Sequence, residues 1–194
     1  MVGGSAGTDE GPLDDLLDRA QQGDRPAFGE LYRRFSRRVF GLCLHLLGSR
    51  EDAEDATGEV FLRVGAALPR YDRAVPLSAW MLRVATNHCL DRLRRRGREA
   101  RLFASELDEA YLGSGEDPSP LAELIAAEDR AAVASALATL PDRYRVPLAL
   151  RYYAEMSYDE IAERLGQTRQ QVATGLFRAK QCLRRALARR RGGS

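Results

Sequence analysis

MSYDEIAERLGQTRQQVATGLFRAKQCLRRAL, residues 156–187, decides how this chain folds. It reads as two helices joined by a tight turn. Ser157 is a good N-cap, and Glu160 three residues on completes a capping box. Ile161, Ala162 and Leu165 give the first helix one apolar face. Gly166 then ends it, where a residue tolerant of positive φ is easiest to place. Thr168 can cap the second helix, whose stripe runs through Val172, Leu176, Ala179, Leu183 and Leu187. Ala162, Gly166 and Val172 form the usual skeleton of a helix-turn-helix. The second helix carries Arg169, Arg178, Lys180, Arg184 and Arg185 and no acid, which suits a phosphate backbone. The competing reading is an ordinary helical hairpin with a solvated basic face.

Outward from this stretch, charge is segregated along the 194 residues although the net charge is only +2. Residues 92–101 hold six arginines, residues 105–129 hold eight acids and no base, and residues 178–191 hold seven bases and no acid. Two basic patches around an acidic tract suggest two nucleic-acid contacts with something different between them. No apolar run approaches the roughly 20 residues that span a bilayer, and residues 1–12 lack the basic and apolar segments of a secretory signal. Cys43, Cys89 and Cys182 are far apart and odd in number, which fits a reducing cytoplasm. Cys89 beside His88, and Cys43 two from His45, form no standard zinc spacing. No metal or cofactor is expected, and without a Gly-rich phosphate loop or a nucleophile–base pairing neither is an enzyme.

The remaining chain is helical in period throughout. Residues 1–11 are Gly-rich and expected to be disordered, and Pro12 to Gln22 reads as a short helix. Asp24 caps a helix to about Leu47, ended by Gly48; Ser49 caps the next, whose first turns carry Glu51, Asp52, Glu54 and Asp55. Gly58 and Gly65 each weaken that helix by about 1 kcal/mol relative to alanine. Pro69 to Pro76 is a loop centred on Tyr71, and a further helix follows from Pro76 or Leu77. Residues 97–120 read as a polar, acidic linker. Helical pattern resumes near Leu121, and Pro141 starts a helix in which Pro147 predicts a kink. Nothing alternates with strand period. The expected fold is all-α: two helical domains joined by an acidic flexible linker, the C-terminal one a helix-turn-helix.

GDRPAFGELYRRF, SREDAEDATGEVFLRV, PLSAWMLRVATNHCLDRLRRR, LPDRYRVPLALRYYAEMSYDEIAERLG and LFRAKQCLRRAL, in this order, resemble bacterial RNA polymerase sigma factors of the sigma-70 family, extracytoplasmic-function (ECF) group. The resemblance covers residues 13–98 and 121–187. It implies a region 2 domain over 12–98, which binds core polymerase and the minus-ten promoter element. It implies a region 4 domain over 121–194, which binds the minus-thirty-five element. Residues 1–11 and the 99–120 linker flank them, a minimal two-domain plan.

The resemblance also implies site residues. Asp52, Asp55, Glu59 and Phe61 match positions that dock on the polymerase clamp helices; an acidic, partly apolar helix fits a basic coiled coil. Ala67, Tyr71 and Asn87 match a pocket for one flipped promoter base, and Trp80 and Asp91 match on the same helix. Arg94, Arg95 and Arg96 would hold phosphates. Thr168, Arg169, Gln170 and Gln171 open the helix expected in the major groove, with Arg178 and Lys180 further along on phosphate. Relatives often carry basic residues where this chain has Ala173 and Gly175, which leaves base readout to the first turn. The implied partners are core RNA polymerase, through its clamp helices and flap, and promoter DNA; an anti-sigma factor is left open. The implied location is the cytoplasm. The acidic linker reads either as a mimic of nucleic acid in the polymerase channel or as a solubilising spacer. The main alternative function is a freestanding helix-turn-helix transcriptional regulator, which would bind duplex DNA without polymerase; a polymerase-binding inhibitor is a third.

Overall fold

A computed structural model describes residues 10–96 and 130–191, with eight α-helices, one 3-10 turn and no strand among them. The expected linker, Arg98, Arg101, the helical pattern from Leu121 and residues 1–9 lie outside the described residues.

The first bundle comprises α1 (Glu10–Gln21), α2 (Arg25–Leu47), α3 (Arg50–Ala67), the 3-10 turn Leu68–Arg70 and α4 (Leu77–Arg95). Local chemistry sets the boundaries. Asp24 Oδ1 accepts from the Ala27 amide at 3.1 Å and starts α2. Gly48, at φ 73°, stops it. Ser49 Oγ accepts from the Asp52 amide at 3.3 Å and starts α3. α1 begins two residues before the expected Pro12. Pro12 is tolerated there because its missing amide proton is one that a first turn leaves unpaired anyway. Leu31, Val39, Leu42 and Leu46 of α2 pack with Ala53, Ala56, Val60 and Val64 of α3 and Met81, Ala85, Cys89 and Leu93 of α4, all fully buried. The small Ala53 and Ala56 let α3 lie close against α2, and each buried leucine contributes about 1.5–3 kcal/mol. Gly58 and Gly65 do not interrupt α3, and Gly65 faces the Phe28 ring.

The second bundle comprises α5 (Arg130–Ala138), α6 (Asp142–Tyr152), α7 (Tyr158–Leu165) and α8 (Arg169–Arg191). α6 remains one helix through the buried Pro147. The capping box forms as expected: the Glu160 amide donates to Ser157 Oγ at 3.3 Å, and the Ser157 amide donates to Glu160 Oε2 at 2.7 Å. Gly166, at φ 64°, makes the turn into α8. Ile161, Leu165, Val172, Leu176, Ala179, Leu183 and Leu187 close the core between α7, α8 and α6.

The two bundles pack on one another. α6 lies against α2, and the apolar core runs through both. The sequence pattern of two tethered domains does not contain this contact. Among the described residues, no helix is long and apolar enough to cross a membrane.

Candidate functional site

On α3, Asp52, Asp55 and Glu59 stand three and four residues apart and therefore share one face. Their charge is partly answered from α4. Arg96 grips Asp52 with both terminal nitrogens, Nη1 to Oδ2 at 2.7 Å. Arg92 Nη2 reaches Asp52 at 3.2 Å and Asp55 at 3.5 Å, and its Nη1 reaches Glu59 at 3.7 Å. Hydrogen bonding from Arg96 holds the Asp52 carboxyl below the usual carboxylate range. Beneath Glu59 lies buried His88, 3.5 Å away; burial keeps its pKa below the usual value and so favours the neutral ring. Arg96, expected on phosphate, is thus engaged with the acidic face.

Phe61, expected to face the polymerase, is only 4% exposed. Its ring packs on Tyr32 with centroids 4.6 Å apart. The apolar residue turned outward is Leu62, 76% exposed and three residues after Glu59 on the acidic face. The spacing in the sequence could have identified Leu62; the family resemblance pointed to the phenylalanine.

At the start of α4 the expected base pocket is only partly open. Tyr71 is 8% exposed. Its ring lies 4.8 Å from that of Trp80, and its hydroxyl donates to the Val75 carbonyl. Gln21 Nε2 fixes this loop by donating to the carbonyls of Leu68 at 3.1 Å and Tyr71 at 3.2 Å. Tyr71 is therefore a wall of the core, while Ala67 and Asn87 are exposed. Asn87 Oδ1 accepts from Arg164 of α7. Asp91 pairs with Arg94 at 3.1 Å, and Arg94 Nη2 donates to the Arg164 carbonyl at 3.2 Å. Arg95 is exposed on the last turn of α4.

In the second bundle, Thr168, Arg169, Gln170 and Gln171 are all exposed around the first turn of α8. Two of them also build that turn. The Gln171 amide donates to Thr168 Oγ1 at 3.2 Å, and the Thr168 amide donates to Gln171 Oε1 at 2.8 Å, a second capping box. Arg169 reaches Asp159 at 3.3 Å and lies over the Tyr158 ring. Gly175 has open space where a side chain would stand. Lys180 is only 7% exposed: four residues after Leu176 and three before Leu183, its stem falls on the inward stripe.

A bundle of four helices, one of them acidic, packed against a capped helix-turn-helix fits a sigma-70-type protein. Residues 31–99 match the Sigma-70 region 2 family model, and residues 130–183 match Sigma-70, region 4. The chain is 31% identical to the ECF RNA polymerase sigma factor SigK of Mycobacterium bovis, with 90% of this chain and 93% of the relative covered. It is 27% identical to SigW of Bacillus subtilis, covering 88% and 94%. It is 36% identical to SigE of Mycolicibacterium smegmatis, covering 87% of this chain but 64% of that relative's length. Among solved structures, the chain is similar to CnrH in its complex with the cytosolic domain of CnrY, at TM-score 0.51 and 26% identity, with 89% and 95% covered. The sigma factor RpoE of Bartonella quintana, solved with the anti-sigma factor NepR, shares the fold at TM-score 0.53 and 18% identity, with 83% and 96% covered. The chain belongs to the ECF RNA polymerase sigma factors of the sigma-70 family. It is a promoter-directing sigma subunit of RNA polymerase.

Proposed function

We propose that this sigma factor acts in the cytoplasm through three surfaces and carries out no reaction of its own. The α3 face of Asp52, Asp55, Glu59 and Leu62 docks on the clamp helices of core polymerase. The outer face of α4, with Asn87 and Arg94 and Arg95 further along, contacts the promoter element nearest the start site, beside Ala67. The first turn of α8, with Arg169, Gln170 and Gln171, enters the major groove of the upstream element, and Arg178 serves phosphate. The observation that carries this reading is the placement of Thr168 to Gln171, all exposed, behind a capped first helix and a Gly166 turn. Arg pairs well with guanine and Gln with adenine. The likeness to CnrH, solved with the cytosolic domain of CnrY, supports a further protein partner for this chain.

Reconstituted transcription tests the reading. Purified core polymerase plus this chain should start transcription at specific promoters, and either component alone should not. Tight, sequence-specific duplex binding by the chain alone, with no effect of core, would instead make it a freestanding regulator.

A further inference from the structure

We propose that His88 is a positioning residue for polymerase docking: it leaves the Glu59 carboxylate at the surface while its ring is neutral and draws it inward when protonated. The proposal rests on the assignment of the α3 face to polymerase made above, and deepens it.

Among the described residues, five buried side-chain polar atoms have no hydrogen-bond partner. One is Nε of Arg145, whose guanidinium covers Gly48 at the end of α2; a Cβ on that glycine would stand 2.7 Å from Arg145 Cζ. Another is the Thr86 hydroxyl. The other three gather under the acidic face of α3: both ring nitrogens of His88, and Nη1 of Arg92. His88 is 3% exposed and lies four residues before Arg92, so the two side chains are neighbours on α4.

Glu59 stands over both. Its Oε2 is 3.5 Å from His88 Nε2, and its Oε1 is 3.7 Å from Arg92 Nη1. Each distance is just beyond the roughly 2.7–3.2 Å of a hydrogen bond. The Glu59 side chain is nevertheless 53% exposed. One carboxylate is therefore poised between two buried nitrogens and the surface, and an inward shift of less than about 1 Å would satisfy both.

The charge on His88 decides between the two positions. A neutral ring carries one N–H and one lone pair and holds a carboxylate weakly. The imidazolium offers N–H from both nitrogens and adds a charge, which makes the bond to Glu59 short and strong. Burial opposes that charge most, Glu59 of α3 favours it, and Arg63 of α3 with Arg92 and Arg95 of α4 oppose it. α2 brings the Cys43 thiol to Cys89, the residue after His88, and the two thiols are hydrogen-bonded to each other. The free chain therefore protonates His88 below the ordinary value near 6.5. A basic partner on the acidic face competes for Glu59 and repels the imidazolium, so docking and protonation oppose each other. Affinity for polymerase is then full above the free-chain pKa of His88. It falls as pH drops through that value, by at most about tenfold per pH unit for one proton.

Two measurements test the proposal, both in a His45→Gln background that removes the chain's other histidine. In the first, binding of the labelled chain to core polymerase is followed by fluorescence anisotropy at pH 7.5 and 5.0. The chain with His88 should lose at least about threefold more affinity over this range than the His88→Gln variant. Equal losses would overturn the proposal. The second measurement needs no polymerase. The His88 ring protons are titrated by NMR in the free chain with and without Glu59→Gln, a substitution at a half-exposed position that leaves the core intact. The midpoint should move down when the Glu59 charge is removed, and an unchanged midpoint would overturn the coupling. Normal core capture by an Asp55→Ala, Leu62→Ser double variant would instead sink the docking reading while leaving the Glu59–His88 titration result intact, so the two failures read differently.

Discussion

Arg96 clasps Asp52 across the end of α4 and the first turn of α3, with Nη1 donating to Oδ2 at 2.7 Å. The pair makes Asp52 a structural residue as well as an exposed acid. Asp52→Ala should cost about 1.5–3 kcal/mol in urea unfolding, the usual value for hydrogen bonds to charged groups. Asp55→Ala should stay within about 0.5 kcal/mol. Both should weaken capture of core polymerase. Because the folded carboxyl titrates below its unfolded value, its contribution is present above that value and is lost as pH falls through the folded pKa. Equal stability of the two variants would show that the Arg96 clasp adds nothing.

Phe61 and Leu62 should separate stability from polymerase binding. Phe61→Ala removes a buried ring and should cost about 3–5 kcal/mol. Leu62→Ser should leave the unfolding midpoint nearly unchanged and reduce core affinity. Thermal unfolding and core pull-down measure both, and unaltered core binding by Leu62→Ser would exclude that residue from the interface.

Acid should weaken the contact between α2 and α6 first. His45 is buried between the bundles, and burial, then the charge of Arg145, pushes its pKa down to about 4. The neutral ring is the folded form, so no stability is lost above the unfolded value near 6.5. Stability falls as pH drops from there toward 4, by up to about 3 kcal/mol at roughly 1.4 kcal/mol per unit. His45→Gln should flatten the stability profile between pH 6.5 and 4; an unchanged slope would place the acid sensitivity elsewhere.

At the helix-turn-helix, Gln170 and Gln171 should behave differently although they are neighbours. Gln171→Ala removes a capping partner of Thr168 and should cost about 0.5–2 kcal/mol, whereas Gln170→Ala should not. In a library randomised across the upstream element, Arg169→Ala and Gln171→Ala should each lose preference at one or two positions. Uniformly lower output would leave them as phosphate and positioning residues.

Asn87→Ala should change preference at one promoter position by about 1–3 kcal/mol, while replacing Arg94 and Arg95 should weaken all sequences alike and reduce the salt dependence. A uniform loss for Asn87→Ala would sink its role in base readout.

What was legible in the sequence is what is decided locally. Asp24, Ser49, Ser157, Gly48 and Gly166 mark helix ends because a side-chain acceptor or a positive φ does its work within three or four residues. Directions around a helix were harder. Phe61 and Leu62 differ by one position, about 100° of rotation, and only packing against Tyr32 decides which is inside. Lys180 looked like a phosphate ligand by charge, yet it lies on the stripe between Leu176 and Leu183. Arg96 sat among arginines suited to DNA, but its partner is 44 residues away on another helix. The contact of α6 with α2 joins residues about 100 apart, which no local pattern encodes.

The fit of Arg145 over Gly48 bears on how related sequences can vary. A side chain at position 48 would be strained by its φ and would collide with the guanidinium. With a short residue at 145 the collision disappears, and asparagine, which tolerates that backbone, becomes acceptable at 48. The two positions should therefore substitute together, and that covariation across relatives would record which of them make this contact between α2 and α6.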